Sequence, residues 1–325
     1  MGTYLVTGSS GFIGAKVSEQ LLSAGHTVVG VDNMNDAYDL RLKEYRLNRL
    51  KDFKNYNFQE IDICDFPALE GVFKKVGGFD AVINLAARAG VRQSVEDPWL
   101  YLQTNTTGTL NLLELCKRHA VPKFLLASTS SIYGQNAPMP TPETASSDYP
   151  LQPYSASKKG AEAMCHAYHY LNGLDVSIVR YFTVYGPAGR PDMVMFRFAQ
   201  WISEEKPLMV NGDGEQTRGF TYVDDIARGT IQALKPVGYE VINLGGHETI
   251  SINQLIVHME ELLGKKAKIE YHPFHPADML ANCADVTKAR QLLGWEPRVE
   301  LKEGIQNLVS WYLEQRDWVK QVITR

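Results

Sequence analysis

The chain has 325 residues, a formal net charge of −4, and 44% hydrophobic against 22% charged residues, as is usual for a globular protein with a substantial core. Lys and Arg form no basic block, so we do not expect nucleic acid as a partner, because phosphate binding needs a concentrated basic face. No apolar run approaches the ~18 residues of a membrane span.

The four cysteines indicate free thiols. Cys64, Cys116, Cys165 and Cys283 are far apart and form no CxxC pair, so we expect neither a disulfide framework nor a metal site. Free thiols fit a reducing cytoplasm. The first residues enter an apolar segment without a preceding basic region, which argues against a signal peptide. We therefore expect a cytoplasmic protein.

Up to residue 180, short apolar segments alternate with longer amphipathic ones. We predict strands at 3–7, 27–31, 79–85, 123–128 and 176–180, and helices at 13–24, 100–119 and 153–171. The strands are rich in β-branched residues and do not alternate in polarity, which indicates a parallel sheet covered on both faces. The pattern predicts an α/β fold with a doubly wound parallel sheet.

After residue 181, proline and glycine become frequent and the strands become short. Helices are predicted at 195–205 and 252–263. We predict a first domain of residues 1–180, to which part of 219–245 returns. A smaller α+β domain, mainly 181–325, then covers the carboxyl edge of the sheet, where loops usually determine specificity.

Three glycines follow the first strand at intervals of three residues: Gly8, Gly11 and Gly14. Glycine there allows a tight turn, the approach of a pyrophosphate and close packing of the helix on the strand. The helix start at Phe12 and Ile13 then presents free N–H groups to the phosphates. An ordinary turn is the alternative, but the position after the first strand favours a dinucleotide-binding Rossmann domain.

Strand ends further along the chain extend this cofactor site. Asp32, followed by Asn33, ends the second strand, where a carboxylate can accept both hydroxyls of the adenosine ribose. It would repel a 2′-phosphate, and no Arg follows immediately, so NAD is favoured over NADP; a simple strand-end cap is the alternative. Other residues predicted to contact the cofactor follow or end later strands: Asp62, Ile63, Leu85, Ala86 and Ala87.

Tyr154 and Lys158 lie four residues apart on one predicted helix, and hence on one face. A phenol is a poor base at neutral pH, and an ammonium one turn away should lower the pKa of Tyr154. Upstream, residues 127–134 place Ser and Thr hydroxyls at a strand end, near a substrate hydroxyl. A surface Tyr–Lys pair and a Ser/Thr-rich turn are the alternatives, but their order after the glycine loop favours a catalytic site.

The order GxxGxxG, strand-end Ser/Thr and YxxxK resembles the extended short-chain dehydrogenases/reductases over nearly the whole chain. The resemblance implies that Tyr154, Lys158 and Thr129 are catalytic, and that NAD is the cofactor. It also implies that Asn105 supports the cofactor, and Tyr181 is expected beside it. In this family the helices that correspond to those predicted here pair between two copies, which implies a homodimer.

The residues after the strand-end Thr129 distinguish reactions within the family. Dehydratases of this type carry Asp-Glu there, and UDP-glucuronate decarboxylases resemble them but carry a Glu, whereas this chain has Ser130 and Ser131. The segments 180–187 and 190–193 resemble those of UDP-glucuronate 4-epimerases. The resemblance implies that a UDP-sugar is oxidised at C4 to a keto sugar, turns over, and receives the hydride on its other face.

A uronate substrate adds a hazard, because oxidation at C4 makes a β-keto acid that loses carbon dioxide readily. Four neutral donors are predicted to hold the sugar carboxylate: Thr129, Ser130, Ser131 and Thr183. Galactose epimerases commonly have Asn at the position of Thr183.

The nucleotide half of the substrate is expected to bind the smaller domain. Arg190 and Arg218 are predicted to contact the diphosphate or uridine, since guanidinium suits phosphate; solvated surface arginines are the alternative. Asp278 resembles the acid that binds the uridine ribose. Gly219 and His275 depart from the family, where Asp and a phosphate-binding Arg are common.

Rival functions remain open at this point. A UDP-glucose or N-acetyl-sugar 4-epimerase is the nearest, and a decarboxylase lacks its Glu. A non-catalytic NAD sensor would usually have lost the Tyr or the Lys. Arg88 and Arg92 follow a predicted strand and are placed near the substrate, without an assigned role.

Overall fold

The computed structural model describes residues 1–246, 248–273 and 282–324. The predictions for Asp278 and His275 lie outside these described residues. Within them, no helix has the length and apolar character needed to cross a membrane. All four cysteines are free thiols.

The strands are β1 (Thr3–Thr7), β2 (Thr27–Asp32), β3 (Tyr56–Glu60), β4 (Ala81–Asn84), β5 (Lys123–Thr129), β6 (Asp175–Tyr181), β7 (Thr183–Tyr185), β8 (Pro207–Asn211), β9 (Thr217–Tyr222), β10 (Tyr239–Leu244), β11 (Thr249–Ser251) and β12 (Lys268–His272). The helices are α1 (Phe12–Ser23), α2 (Leu40–Lys51), α3 (Phe66–Val76), α4 (Gln93–Glu96), α5 (Pro98–Tyr101), α6 (Gly108–Arg118), α7 (Pro153–Asn172), α8 (Val194–Ser203), α9 (Val223–Gln232), α10 (Ile252–Leu263), α11 (Thr287–Leu293), α12 (Leu301–Glu314) and α13 (Arg316–Val319).

The main sheet has seven parallel strands in the order β10-β6-β5-β4-β1-β2-β3. The direction of strand order reverses between β1 and β4, which creates a crevice at the carboxyl edge where ligands bind in such sheets. The predicted doubly wound parallel fold is confirmed. Both faces of the sheet are covered, since neighbouring residues such as Leu125 and Leu126 are both fully buried, in different apolar clusters.

The part of the chain after β6 forms two smaller sheets, β11-β9-β7 and β12-β8. Their core is a separate apolar cluster that includes Phe196, Phe198 and Tyr312. Two later elements instead join the main sheet: β10 pairs with β6, and α9 packs against α1. The division of the chain into two domains stays a prediction.

The predicted helix 100–119 is interrupted in the structure. A π-helical turn, Leu102–Thr107, separates α5 from α6. The Thr109 hydroxyl donates to the Asn105 carbonyl oxygen at 2.7 Å, and a side chain at Gly108 would collide with Ile63. These local contacts fix a turn that hydrophobic periodicity cannot indicate.

Candidate functional site

One cavity of about 1390 Å³ lies at the carboxyl edge of the main sheet, beneath the smaller sheets. Its wall includes nearly every described residue that the sequence placed in the site: Gly8, Gly11, Phe12, Ile13, Gly14, Asp32, Asn33, Asp62, Ile63, Leu85, Ala86, Ala87, Thr129, Ser130, Ser131, Tyr154, Lys158, Tyr181, Thr183, Arg190 and Arg218. The cavity is therefore large enough, and polar in the right places, for a dinucleotide beside a second ligand.

The glycine loop leaves no room for side chains. Gly8 has φ of +66°, and a Cβ on Gly14 would lie 2.0 Å from the Gly8 carbonyl oxygen. Gly11 is the N-cap of α1 and has no side-chain cap. The first N–H groups of α1 thus face the cavity without a protein side-chain cap, which suits a bound pyrophosphate.

Asp32 is buried at the end of β2 with both carboxylate oxygens engaged. The Ser10 N–H donates to Oδ2 at 3.2 Å, the Met34 N–H to Oδ1 at 3.0 Å, and Lys43 Nζ lies 3.3 Å from Oδ1. Lys43 also donates to Asn35. Its ammonium is almost completely buried beside the predicted ribose pocket, and the sequence pattern gave no signal for it.

Asn33 and Asp62 form the neighbouring wall. Asn33 Nδ2 donates to Asp62 Oδ2 at 2.7 Å, and the Cys64 N–H donates to Oδ1 at 2.8 Å. Burial opposes ionisation, yet these hydrogen bonds and the positive charge of Arg88 lower the pKa of Asp62. Arg88 also lines the cavity, and its charge reaches both Asp62 and Tyr101, so its role stays unassigned. Arg92 also lines the cavity, and its side chain is exposed.

The Tyr154 phenol lies within hydrogen-bonding reach of Thr129, and both residues line the cavity. Lys158 Nζ donates to the Ala127 carbonyl oxygen at 2.7 Å, which ties α7 to the end of β5. Burial lowers the pKa of Lys158 to about 8. The phenol, the Thr hydroxyl and the lysine thus line one cavity, and their catalytic roles stay a prediction.

The expectation that the pKa of Tyr154 is lowered is wrong in this structure. Burial raises that pKa, and it outweighs the opposing effects of the Thr129 hydrogen bond and the positive charge of Arg190. Lys158, whose ammonium donates to the Ala127 carbonyl oxygen, is not among the groups that shift this pKa. Tyr154 is therefore a neutral phenol here and needs further positive charge nearby to act as a base.

Ser130 and Ser131 continue the hydroxyl row after Thr129. The Ser131 N–H donates to Thr129 Oγ1, and Thr129 Oγ1 donates to Ser131 Oγ, both at 3.2 Å. Asn282 Nδ2 donates to Ser130 Oγ at 3.3 Å. Thr183 contributes to the same cavity from β7. This row offers hydroxyl donors and, in its immediate bonds, no carboxylate.

Arg190 and Arg218 also line the cavity. Arg190 Nε donates to Asp192 Oδ1 at 3.0 Å, so its guanidinium is held in place close enough to Tyr154 to affect its pKa. Arg218 Nη1 donates to the Thr217 carbonyl oxygen at 2.8 Å. The two cations suit an anionic group such as a diphosphate.

Gly219 departs from the family pattern for a reason visible in the backbone. Its N–H donates to the Asn282 carbonyl oxygen at 2.7 Å, and a Cβ would lie 2.9 Å from that oxygen. A side chain at this position would therefore push the strand β9 away from Asn282, whose side-chain amide donates to Ser130 Oγ.

Asn105 lies behind the cavity wall rather than in it. Its amide oxygen accepts from the Arg88 N–H at 2.9 Å, and its Nδ2 donates to the Arg88 carbonyl oxygen at 3.0 Å and to Ser157 Oγ at 2.9 Å. The residue predicted to contact the cofactor thus fixes the loop after β4 against α7, from within the π-helical turn.

Sequence reasoning missed several residues of the cavity wall, namely Lys43, Arg197, Asn211, Gln216 and Asn282. They come from helices, strands and loops distant in sequence, and no motif singled them out. No cluster of three or more His, Cys, Asp or Glu side chains suited to a metal occurs in the described part of the chain.

Comparison with known proteins places the chain in a family. A family model described as GDP-mannose 4,6 dehydratase matches residues 5–308. A UDP-glucuronate 4-epimerase from Thermodesulfobacterium geofontis is 57% identical over 323 residues, 99% of each chain.

Two solved structures are also similar. The UDP-glucuronic acid 4-epimerase from Bacillus cereus, in complex with UDP-glucuronic acid and NAD, superposes with a TM-score of 0.88 at 37% identity, over 96% of this chain and 99% of that one. The UDP-glucose 4-epimerase from Thermotoga maritima gives a TM-score of 0.88 at 33% identity, over 97% and 99%. The chain belongs to the extended short-chain dehydrogenase/reductase family of epimerases and dehydratases.

Proposed function

We propose that the protein is an isomerase that interconverts UDP-glucuronate and UDP-galacturonate with tightly bound NAD. The observation that carries the proposal is the hydroxyl row Thr129-Ser130-Ser131, hydrogen-bonded to Tyr154 within the cofactor cavity and free of the acidic residues of dehydratases. The relatives named UDP-glucuronate 4-epimerase support the assignment.

The residues of the cavity fit NAD. The crowded turn at Gly8 and Gly14 and the uncapped start of α1 would hold the pyrophosphate, and Asp32 would accept from the adenosine ribose hydroxyls. When bound, NAD supplies hydride transfer at the sugar C4 and returns the hydride in the same catalytic cycle. The positive charge of a bound nicotinamide would favour loss of the Tyr154 proton.

Tyr154 handles the proton of the reaction. As phenolate it accepts the proton of the sugar 4-hydroxyl, and Thr129 orients both oxygens through its own hydroxyl. The 4-keto sugar then turns about its phosphate linkage, and Tyr154 gives the proton back after the hydride reaches the opposite face. Lys158, held by Ala127, keeps a positive charge beside this step.

Ser130, Ser131 and Thr183 hold the carboxylate of the sugar. Hydrogen bonds from neutral hydroxyls keep the carboxylate solvated and its orientation fixed, which disfavours loss of carbon dioxide from the β-keto acid. Arg190 and Arg218 bind the diphosphate end.

The second candidate is a UDP-glucose 4-epimerase, favoured by the similarity to the Thermotoga maritima protein. It would not need Ser130 and Ser131 to hold a carboxylate. A decarboxylase is disfavoured because Ser130 and Ser131 replace its Glu. A non-catalytic NAD sensor is disfavoured because Tyr154 and Lys158 are both present and lie in the cavity.

Proton NMR of the anomeric signals tests the proposal, with purified protein, UDP-glucuronate and no added cofactor. We expect a UDP-galacturonate signal that approaches equilibrium, and its loss in Tyr154→Phe. A UDP-pentose signal would indicate a decarboxylase. Conversion of UDP-glucose alone, in a parallel tube, would refute the uronate assignment. In S130A/S131A, unchanged uronate affinity and no decarboxylated by-product would refute the role of the serines.

We also propose that the protein is a cytoplasmic homodimer, paired through α6 and α7. Leu171 and Tyr170, at the end of α7, are exposed apolar side chains, whereas Met164 and Tyr168 pack on the protein's own core. Light scattering after size exclusion would show twice the mass of 36.4 kDa if two copies pair, and the monomer mass would refute it.

A further inference from the structure

A buried ion pair lies behind the catalytic residues, outside the cavity wall. Glu162 of α7 and Arg180 of β6 are each 4% exposed, and the guanidinium bonds both carboxylate oxygens, Nε to Oε1 at 3.0 Å and Nη2 to Oε2 at 2.7 Å. A buried pair is weak evidence for stability, since desolvation offsets the attraction. We therefore consider what the pair contacts.

Glu162 connects the two elements that carry the catalytic side chains. The Ser128 hydroxyl donates to Glu162 Oε1 at 2.6 Å, and Ser128 immediately precedes Thr129 on β5. On α7, Glu162 follows Lys158 by one helical turn and shares its face. The carboxylate thus touches the strand of the catalytic hydroxyl and attracts the catalytic ammonium.

Arg180 is itself fixed from the far side. Its guanidinium lies over the Tyr133 ring, 4.8 Å from the centroid, and the Tyr133 hydroxyl donates to Asn243 Oδ1 at 2.7 Å. Asn243 belongs to β10, the strand next to β6. Arg180 therefore holds the Glu162 carboxylate in a fixed position.

We propose that Glu162 is a positioning residue that keeps Lys158 protonated and aligns Thr129, with Arg180 as its fixed counter-ion. The inference rests on the proposed function, in which Lys158 acts as an ammonium beside Tyr154. Neither Glu162 nor Arg180 needs to touch substrate or cofactor for this role.

The other titratable groups around Lys158 and Glu162 do not supply this negative charge. Burial raises the pKa of Cys165 on α7 and of Tyr133, and raises the pKa of Tyr239 on β10 to about 12, so all three stay neutral. Tyr154 is a neutral phenol in this structure. Arg180 is the nearby cation whose repulsion of the Lys158 ammonium the attraction of Glu162 must exceed. Burial lowers the pKa of Lys158 to about 8, and the attraction of Glu162 opposes a further fall.

Glu162→Gln tests the proposal, because it keeps the shape and hydrogen-bond acceptor while removing the charge. Loss of an adjacent opposite charge lowers a lysine pKa by about one unit or more. At pH 8 the ammonium fraction of Lys158 then falls from about one-half to about one-tenth, roughly fivefold. We expect the alkaline limb of the kcat profile to move to lower pH by the same amount, with the KM for UDP-glucuronate unchanged.

The pKa of Lys158 is also measured without turnover, by competitive acetylation with acetic anhydride across pH and mass spectrometry of the Lys158 peptide. Glu114→Gln is the matched control. Like Glu162, Glu114 accepts a hydrogen bond from a hydroxyl, that of Tyr168, and forms ion pairs. Its partners are Lys117 and Arg118 on α6. We expect both readouts to stay unchanged in this control.

A second variant covers the risk that an unpaired Arg180 unfolds E162Q. In E162Q/R180Q no guanidinium is left without its carboxylate, and we expect the Lys158 pKa to fall, by less than in E162Q. An unchanged Lys158 pKa and alkaline limb in the folded variants, even with a lower Tm, would overturn the proposal. Absence of UDP-glucuronate turnover in the wild type would refute the proposed function, while the acetylation measurement would still decide the role of Glu162.

Discussion

Replacing Asp32 by Ser is expected to change the cofactor preference from NAD to NADP. In the proposed complex Asp32 accepts hydrogen bonds from two ribose hydroxyls, and a bond to a charged group contributes about 1.5–3 kcal/mol. Loss of both weakens NAD binding by about 3–6 kcal/mol, or about 10²–10⁴-fold. The variant leaves Lys43 Nζ, now 3.3 Å from Asp32 Oδ1, without its carboxylate. A 2′-phosphate would restore a partner for this buried ammonium, which costs about 3–5 kcal/mol when left unpaired.

The assay compares NAD and NADP on protein stripped of resident dinucleotide. Calorimetry gives the two affinities, and thermal melting shows whether NADP raises the Tm of D32S more than NAD does. The matched control is D32S/K43M, which should lose the gain for NADP because the ammonium is gone. A D32S protein that still prefers NAD, or a double variant that still prefers NADP, would refute the role given to Lys43.

Three further results are expected. Between pH 8 and about 10.4, the unfolded chain holds a proton on Lys158 that the folded protein has lost. This group therefore makes the free energy of unfolding rise with pH, while kcat falls over the same range. Urea titrations and rates at several pH values check the two trends. Gly14→Ala should cost about 3 kcal/mol or more and abolish bound NAD, because its Cβ would lie 2.0 Å from the Gly8 carbonyl oxygen; urea unfolding and dinucleotide content measure this. Trp295→Ala, at a fully buried ring whose Nε1 donates to Asp225 at 2.8 Å, should cost about 3–5 kcal/mol in urea, with the cavity residues untouched; a cost under 1 kcal/mol would contradict the packing.

The regular elements could be predicted because their signals are local. The predicted helix at 252–263 matches α10 residue for residue, and the first strand matches β1. Capping helps, since Ser251 and Gln254 form a capping box at the start of α10. Apart from the interrupted helix at 100–119, the boundaries of the other predicted elements moved by one or two residues, which is the precision that periodicity allows.

The site could be predicted where a motif fixes both residue type and strand end. Tyr154, Lys158 and Thr129 are such residues, and they meet as expected. Lys43, Glu162 and Arg180 could not be predicted, because a Lys or Glu in an amphipathic helix ordinarily faces solvent, and their burial depends on a partner from another element. The predicted direction of the Tyr154 pKa shift was wrong for the same reason, because burial is a property of the folded chain.

The π-helical turn lets the segment from α5 to α6 contact both the cavity and the apolar core. An extra residue in a turn rotates everything beyond it by about 100° relative to a regular helix. Upstream, Leu100 and Tyr101 form part of the cavity wall, whereas downstream Leu112 and Leu113 are fully buried against the sheet. The side chains before and after the turn thus point in different directions. Side chains that face the ligand can therefore change without repacking those that face the core.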